Sequence, residues 1–214
     1  MIGKLNYFLN PPIIQFSPPR TGSTLLWNTL RVCFPGREIK KAHRLKKFEK
    51  RFRTAPIVAS IRNPLDSISS SIQRYGEEPT NSVIKQQIEE YQNLGMKDIL
   101  EILNKPNVLI LKYEDFAFNF EFMFTELESF FQQTIPANLR QQVLNDYSIE
   151  KVKEKSDKQG AFKNYSKEDQ IHGQHISKFS GASGYYNEFL SPKQIETIQQ
   201  HFAPIFKAFD YPSP

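Results

Sequence analysis

Three short stretches concentrate residue types that bind anions. In Phe16-Ser-Pro-Pro-Arg20-Thr21-Gly22-Ser23-Thr24, Gly22 lets the backbone approach an anion closely, Ser23 and Thr24 offer hydroxyls, and Arg20 adds a permanent charge with a forked donor. Between a strand and a helix such a cluster becomes an anion cradle, because loop N–H groups converge and the helix N-terminus favours negative charge. The same Ser and Thr would serve an ordinary capped helix after a Pro turn, so the loop alone leaves both uses open. In the second stretch, Arg62-Asn63-Pro64-Leu65-Asp66 through Ser70, Arg62 ends an apolar run and can bind a phosphate at the edge of a sheet. Ser70 lies just under two helical turns beyond Pro64 and reaches the same anion only if the ligand runs along that helix. Asn63 reads as a helix cap and Asp66 as a first-turn acid favoured by the helix dipole. The third stretch, Lys41-Ala42-His43, lies in a run rich in lysine and arginine.

Periodicity supplies the elements that must hold these residues. Pro12 to Phe16 is a short apolar run stopped by Ser17-Pro18-Pro19, and Ser23 to Phe34 has helical spacing up to Pro35-Gly36. Ala55 to Ile61 reads as a second buried strand, and Pro64 starts a helix that lasts to Gly76. Asn81 to Lys105 predicts one long amphipathic helix closed by Pro106, and Val108 to Leu111 a third strand. Phe116 to Phe131, Pro136 to Asn145 and Pro192 to Phe209 read as helices, and Ser156 to Tyr186 as the least regular part. Strands alternating with helices predict an α/β fold, a central parallel sheet flanked by helices.

The 214 residues fit one domain over 1–214 with a sizeable core. A hydrophobic share of 39% and 18 Phe speak against disorder, and a mean hydropathy of −0.53 without a long apolar run speaks against a membrane span. The first fifteen residues lack the apolar core of a signal peptide, and the single cysteine, Cys33, excludes a disulfide framework, so a cytoplasmic setting is expected. Between Arg37 and Arg53 nine Lys/Arg stand against two Glu, while the remaining residues sum to −2. The net charge of +5 therefore belongs to one segment. The Walker ending Gly-Lys-Ser/Thr is missing, and no clear Asp follows an apolar strand to hold magnesium, which points away from an ATPase or GTPase.

The ordered pair of anion sites, P-R-T-G-S-T after the first strand and R-N-P-x-D-x-x-x-S after a later one, resembles the sulfotransferase family. That resemblance implies a P-loop nucleoside triphosphate hydrolase-like sulfotransferase fold, 3′-phosphoadenosine 5′-phosphosulfate (PAPS) as donor and adenosine 3′,5′-bisphosphate (PAP) as product, with no metal. It places Arg20, Thr21, Gly22, Ser23 and Thr24 on the 5′ group and Arg62 and Ser70 on the 3′-phosphate. Leu111-Lys-Tyr113-Glu-Asp-Phe116 and Tyr147-Ser-Ile149 resemble segments near the adenine, and Gly181-Ala-Ser-Gly184 the family's late glycine segment. The family carries Arg-Lys-Gly there to hold the 3′-phosphate; here Phe179-Ser180-Gly181 stands instead, with Lys178 as the candidate substitute.

Ile39-Lys-Lys41-Ala-His43 is similar to the family's Lys-Thr-His segment, which implies His43 as the base, Lys41 as its partner at the sulfuryl group, and Arg20 as the loop cation. A His with a pKa near the working pH suits proton removal from an acceptor hydroxyl. His172 and His175 could line an acceptor pocket or cover the nucleotide, and His201 reads as structural. Only 23 positions separate Arg20 from His43, fewer than in the family's familiar cytosolic members, which insert an acceptor-binding region there, so the resemblance implies an acceptor pocket built from Gly76–Gly95 and Ser156–Tyr186. The acceptor would be a small-molecule, glycan or lipid hydroxyl. The competing readings are a nucleotide-binding phosphotransferase or kinase, and a degenerate nucleotide- or nucleic-acid-binding protein.

Overall fold

The computed structural model describes residues 11–45, 54–176 and 180–212. Four parallel strands, β1 (Ile13–Phe16), β2 (Ile39–Ala42), β3 (Ile57–Ile61) and β4 (Val108–Lys112), form a sheet in the order β2-β1-β3-β4. Side chains alternate across it as strand geometry requires. Ile14, Phe16, Ala59 and Ile61 enter one core, and Ile13, Val58 and Leu111 enter the other. The first core is covered by α2 (Pro64–Arg74), α3 (Asn81–Tyr91), α4 (Lys97–Ile102), α10 (Pro192–His201) and α11 (Ala203–Ala208). The second is covered by α1 (Ser23–Cys33), α6 (Phe120–Phe131) and α7 (Ala137–Tyr147). Two short helices, α5 (Tyr113–Phe116) and α9 (Tyr186–Phe189), and one longer, α8 (Ile149–Gln159), complete the set among the described residues. Burial on both faces explains why β1 and β3 read as continuous apolar runs rather than alternating ones.

Three expectations are corrected. The segment Ile39-Lys-Lys-Ala, part of the basic run, is the edge strand β2, aligned with β1 through Gln15↔Lys41 and Phe16↔Ala42. It escaped the periodicity search because an edge strand with two lysines carries no apolar alternation. The rest of that run, residues 46–53, lies outside the described residues. The expected helix Asn81–Lys105 is broken at Leu94 (φ −107°) and Gly95 (φ +103°). A Cβ on Gly95 would stand 2.9 Å from Phe16 Cζ and 3.0 Å from the His43 carbonyl oxygen, so close approach to β1 and β2 requires glycine there. Finally, α8 carries regular structure into the segment expected to be least regular, and the C-terminal helix divides at Phe202.

The chain runs from β1 to one side of the sheet and then to the other, so the order reverses at β1. In open parallel sheets that reversal leaves a crevice at the carboxyl ends of the strands. All four strands end there, and the next residues are Ser17 after β1, His43 after β2, Arg62 after β3 and Tyr113 after β4.

Candidate active site

The loop after β1 is built from beneath. Ser17 Oγ accepts from Gln15 Nε2 at 2.6 Å and from the Ser60 N–H at 3.0 Å, and Ser60 Oγ lies 2.7 Å from Ser17 Oγ and 3.1 Å from Thr21 Oγ1. Tyr91, fully buried, donates its hydroxyl to Pro19 O at 2.7 Å. On this base Arg20 adopts φ 63° and Gly22 φ 81°. A Cβ on Gly22 would press Phe116 Cζ at 2.8 Å, which explains why the loop turns on glycine at this point. Among the described residues no side chain caps α1 at Gly22, and Gly22, Ser23 and Thr24 at its start line the cavity at the strand ends.

That cavity holds about 350 Å³ at the strand ends. Of the residues expected from sequence, Arg20, Gly22, Ser23, Thr24, Lys41, His43, Arg62, Ser70, Tyr113, Tyr147, Ile149 and Gly181 all line it. Thr21 does not: its side chain is fully buried and its hydroxyl donates to Pro18 O at 2.8 Å, so it belongs to the foundation of the loop. Lys178 and Phe179 lie outside the described residues. Both segments expected to form an acceptor pocket reach the cavity, through Glu90 and Leu94 and through Phe162, Gln170, His172 and His175. His201 is exposed in the last turn of α10.

Four cations line the cavity, Arg20, Lys41, Arg62 and Arg74, against one described carboxylate, Glu90. Arg20 donates to Ser70 Oγ from Nε at 3.0 Å and from Nη2 at 2.9 Å, which ties the loop to α2. Burial holds its pKa below the ordinary arginine value. Lys41 Nζ donates to Thr24 Oγ1 at 3.1 Å and to Gln170 Oε1 at 3.2 Å. Burial, with Arg74 adding repulsion, pulls its pKa down to about 8. Arg62 Nη2 donates to Ala182 O at 2.8 Å and Gly181 O at 3.2 Å, and its guanidinium stacks 4.2 Å from the Tyr113 ring centroid. Its Nε is buried without a partner, which is costly for a cation unless an anion comes to it.

His43 contacts the main chain through Nδ1, 2.6 Å from Ser17 O. A carbonyl only accepts, so Nδ1 carries the proton and Nε2 keeps its lone pair. Burial, with Lys41 adding to it, pushes the His43 pKa below 6.5 against the opposing pull of the Ser17 bond. The net shift favours the neutral imidazole.

The Asp66 carboxylate accepts the Gly184 N–H through both oxygens, at 3.0 and 2.9 Å, and so fastens the late glycine segment to the first turn of α2. Helix position alone had given it only a dipole role. Among residues without a sequence signal, Arg74 stands out. It was hidden as the last polar residue before Gly76 and becomes part of the site only because α2 runs along the cavity.

A model of the sulfotransferase domain matches residues 37–210. The chain belongs to the sulfotransferase family. The matched stretch begins after the β1 loop, so the reading of that loop as an anion cradle stands on its geometry. No curated protein matches the sequence. Solved sulfotransferase structures share the fold. Mouse sulfotransferase SULT7A1 complexed with PAP superposes with a TM-score of 0.69 at 16% identity, over 93% of this chain and 84% of that one. Retinol dehydratase in complex with retinol and PAP gives 0.65 at 14% identity, over 98% of this chain and 86% of that one. The same enzyme with androsterone and inactive cofactor PAP gives 0.63 at 14%, over 98% and 85%. The α/β architecture is thus the P-loop-like sulfotransferase fold. Among the described residues no helix is long and apolar enough to cross a membrane.

Proposed function

We propose that this sulfotransferase takes its sulfuryl group from PAPS and passes it to an acceptor hydroxyl, with His43 as general base, and that residues 1–214 form one domain for both steps. The observation that carries the reading is the meeting, at the four strand ends, of an imidazole that donates from Nδ1 to the Ser17 carbonyl and of cations that have no carboxylate partner among the described residues. The donor set fits a nucleotide with two anionic ends. Arg20, Lys41, Ser23, Thr24 and the first N–H groups of α1 would hold the 5′ phosphosulfate, and Arg62 with its unpartnered Nε the 3′-phosphate. Tyr113, Tyr147 and Ile149 would flank the base. When bound, PAPS would supply the sulfuryl group and a phosphate leaving group; all three solved structures named above are complexed with PAP.

His43 Nε2 takes the proton of the acceptor hydroxyl, while the Ser17 carbonyl holds Nδ1–H and stabilises the imidazolium that forms. Lys41 and Arg20 would supply positive charge to the leaving oxygen of bound PAPS; burial lowers both pKa values, and the same low dielectric strengthens their attraction to an anion. Gln170 and Thr24 aim Lys41. The Arg20–Ser70 bonds keep the loop cation turned along α2.

The decisive variant is His43→Ala. Turnover with an acceptor found by screening hydroxyl compounds against labelled PAPS should drop about 10²–10⁴-fold, the usual worth of a positioned base. PAP affinity by calorimetry should stay within about twofold, since His43 makes no charge contact in the neutral form. Unchanged turnover would remove His43 from the mechanism.

A further inference from the structure

The donor reading uses three of the four cations in the cavity, and Arg74 is left over. It ends α2 one turn beyond Ser70 on the same helix face. The ten steps from Pro64 to Arg74 in this 11-residue helix place it roughly 15 Å along the axis from the end of the helix next to Arg62. Its guanidinium lies 3.7 Å from the Phe162 ring centroid, and its Nε is buried without a hydrogen-bond partner. Among the described residues no carboxylate pairs with it. The one acid in the lining, Glu90, is 3.4 Å from Gln87 Nε2.

Like charge surrounds this guanidinium. Burial first, and Arg20 next, pull its pKa down to about 9, and it in turn disfavours charge on Lys41, His172 and His175. A planar donor fork held in such a field is relieved only by an anion, and it presents two parallel N–H groups to a carboxylate or similar group. The walls beside it are aromatic. Tyr75 meets Phe162 edge-on at 5.8 Å, and His172 stacks between Phe162 and Tyr165 at 5.0 Å on either side. Tyr75 and Tyr165 are half exposed at this rim.

We infer that the acceptor is a ring-bearing hydroxyl compound that carries its own anionic group, and that Arg74 binds this group while the aromatic rim holds the ring. The inference rests on the donor reading, because Arg74 is unassigned only once Arg20, Lys41 and Arg62 serve PAPS.

Calorimetry tests it with two pairs of probes, titrated with and without saturating PAP. One pair is 4-hydroxyphenylacetate and its neutral amide, and the other is glucuronate and its neutral amide. In at least one pair the anion should bind about tenfold or more tightly than the amide, the worth of a hydrogen bond to a charged group. Arg74→Gln should abolish that preference, and Arg74→Lys, which keeps the charge without the fork, should retain part of it. PAP affinity should stay within about threefold in both variants, since Arg74 serves the acceptor. The pair that shows the preference tells an aromatic acceptor from a sugar acid. The inference is overturned if neither pair discriminates or binds, if the preference survives both substitutions, or if PAP binding is lost with it, which would give Arg74 to the donor. Failure of wild-type protein to bind PAP would instead sink the donor reading, and the titrations without PAP would still decide the role of Arg74.

Discussion

At the scale of single residues, burial lowers the pKa of both His43 and Lys41, and the sign of each shift sets the pH response. Burial lowers His43 below 6.5, which favours the free base, and activity is lost as pH falls through that lowered value. Lys41, lowered to about 8, is charged below that value and loses its charge as pH rises through it. The kcat/KM profile, which reports the free enzyme, should therefore be bell-shaped, with an acid limb below 6.5 and an alkaline limb near 8. In kcat the alkaline limb should move upward, because a bound anion holds the ammonium charged. Lys41→Arg should flatten the alkaline limb and leave the acid limb in place. An alkaline limb that persists in the Arg variant would assign it to another group. Cys33 stands apart from this chemistry: it is buried in the core at the end of α1, and burial raises its thiol to about 12.

At the scale of elements, the break between α3 and α4 links packing to the site. Gly95 lets the chain pass against Phe16 of β1 and the carbonyl of His43 at the end of β2. Gly95→Ala should cost about 1–3 kcal/mol in urea unfolding, from a positive φ and a Cβ with no room, since the main chain of His43 cannot yield as a flexible side chain would. The displacement should also lower turnover more than it lowers PAP affinity. Stability unchanged within about 0.5 kcal/mol would show that the segment relaxes freely. The sequence announced a helix across this break because Ile84, Ile88, Tyr91, Ile99 and Ile102 keep one apolar face through it. Periodicity reads the face and is blind to a single residue that reverses the backbone. β2 was missed for the opposite reason, as its register with β1 is set by main-chain hydrogen bonds rather than by apolar side chains.

At the scale of the whole molecule, the site joins parts of the chain that lie far apart in sequence. Arg62 and Tyr113 hold the carbonyl of Gly181, Asp66 holds the N–H of Gly184, and Arg20 reaches the carbonyl of His175. A ligand that engages these contacts should stabilise the fold as a unit. PAP at about 100 times its Kd should add about 2.7 kcal/mol of stability, visible as a rise in Tm, whereas AMP and ATP at the same concentration should add far less. Arg62→Ala should erase most of the difference between PAP and AMP, and equal shifts for all three nucleotides would refute the 3′-phosphate site. The sequence by itself determined the parallel α/β fold, the β1 loop, Arg62 at the end of a strand and the Lys41-Ala-His43 triplet, because apolar runs, Pro and Gly stops and local motifs are properties of neighbouring residues. Only the tertiary structure decided that Thr21 faces inward, that Asp66 anchors Gly184 and that Arg74, with no carboxylate partner among the described residues, lines the same cavity as Lys41. Those facts depend on which side of an element faces which partner across the fold, and those partners lie far off in sequence: 39 positions for Thr21 and Ser60, and 118 for Asp66 and Gly184.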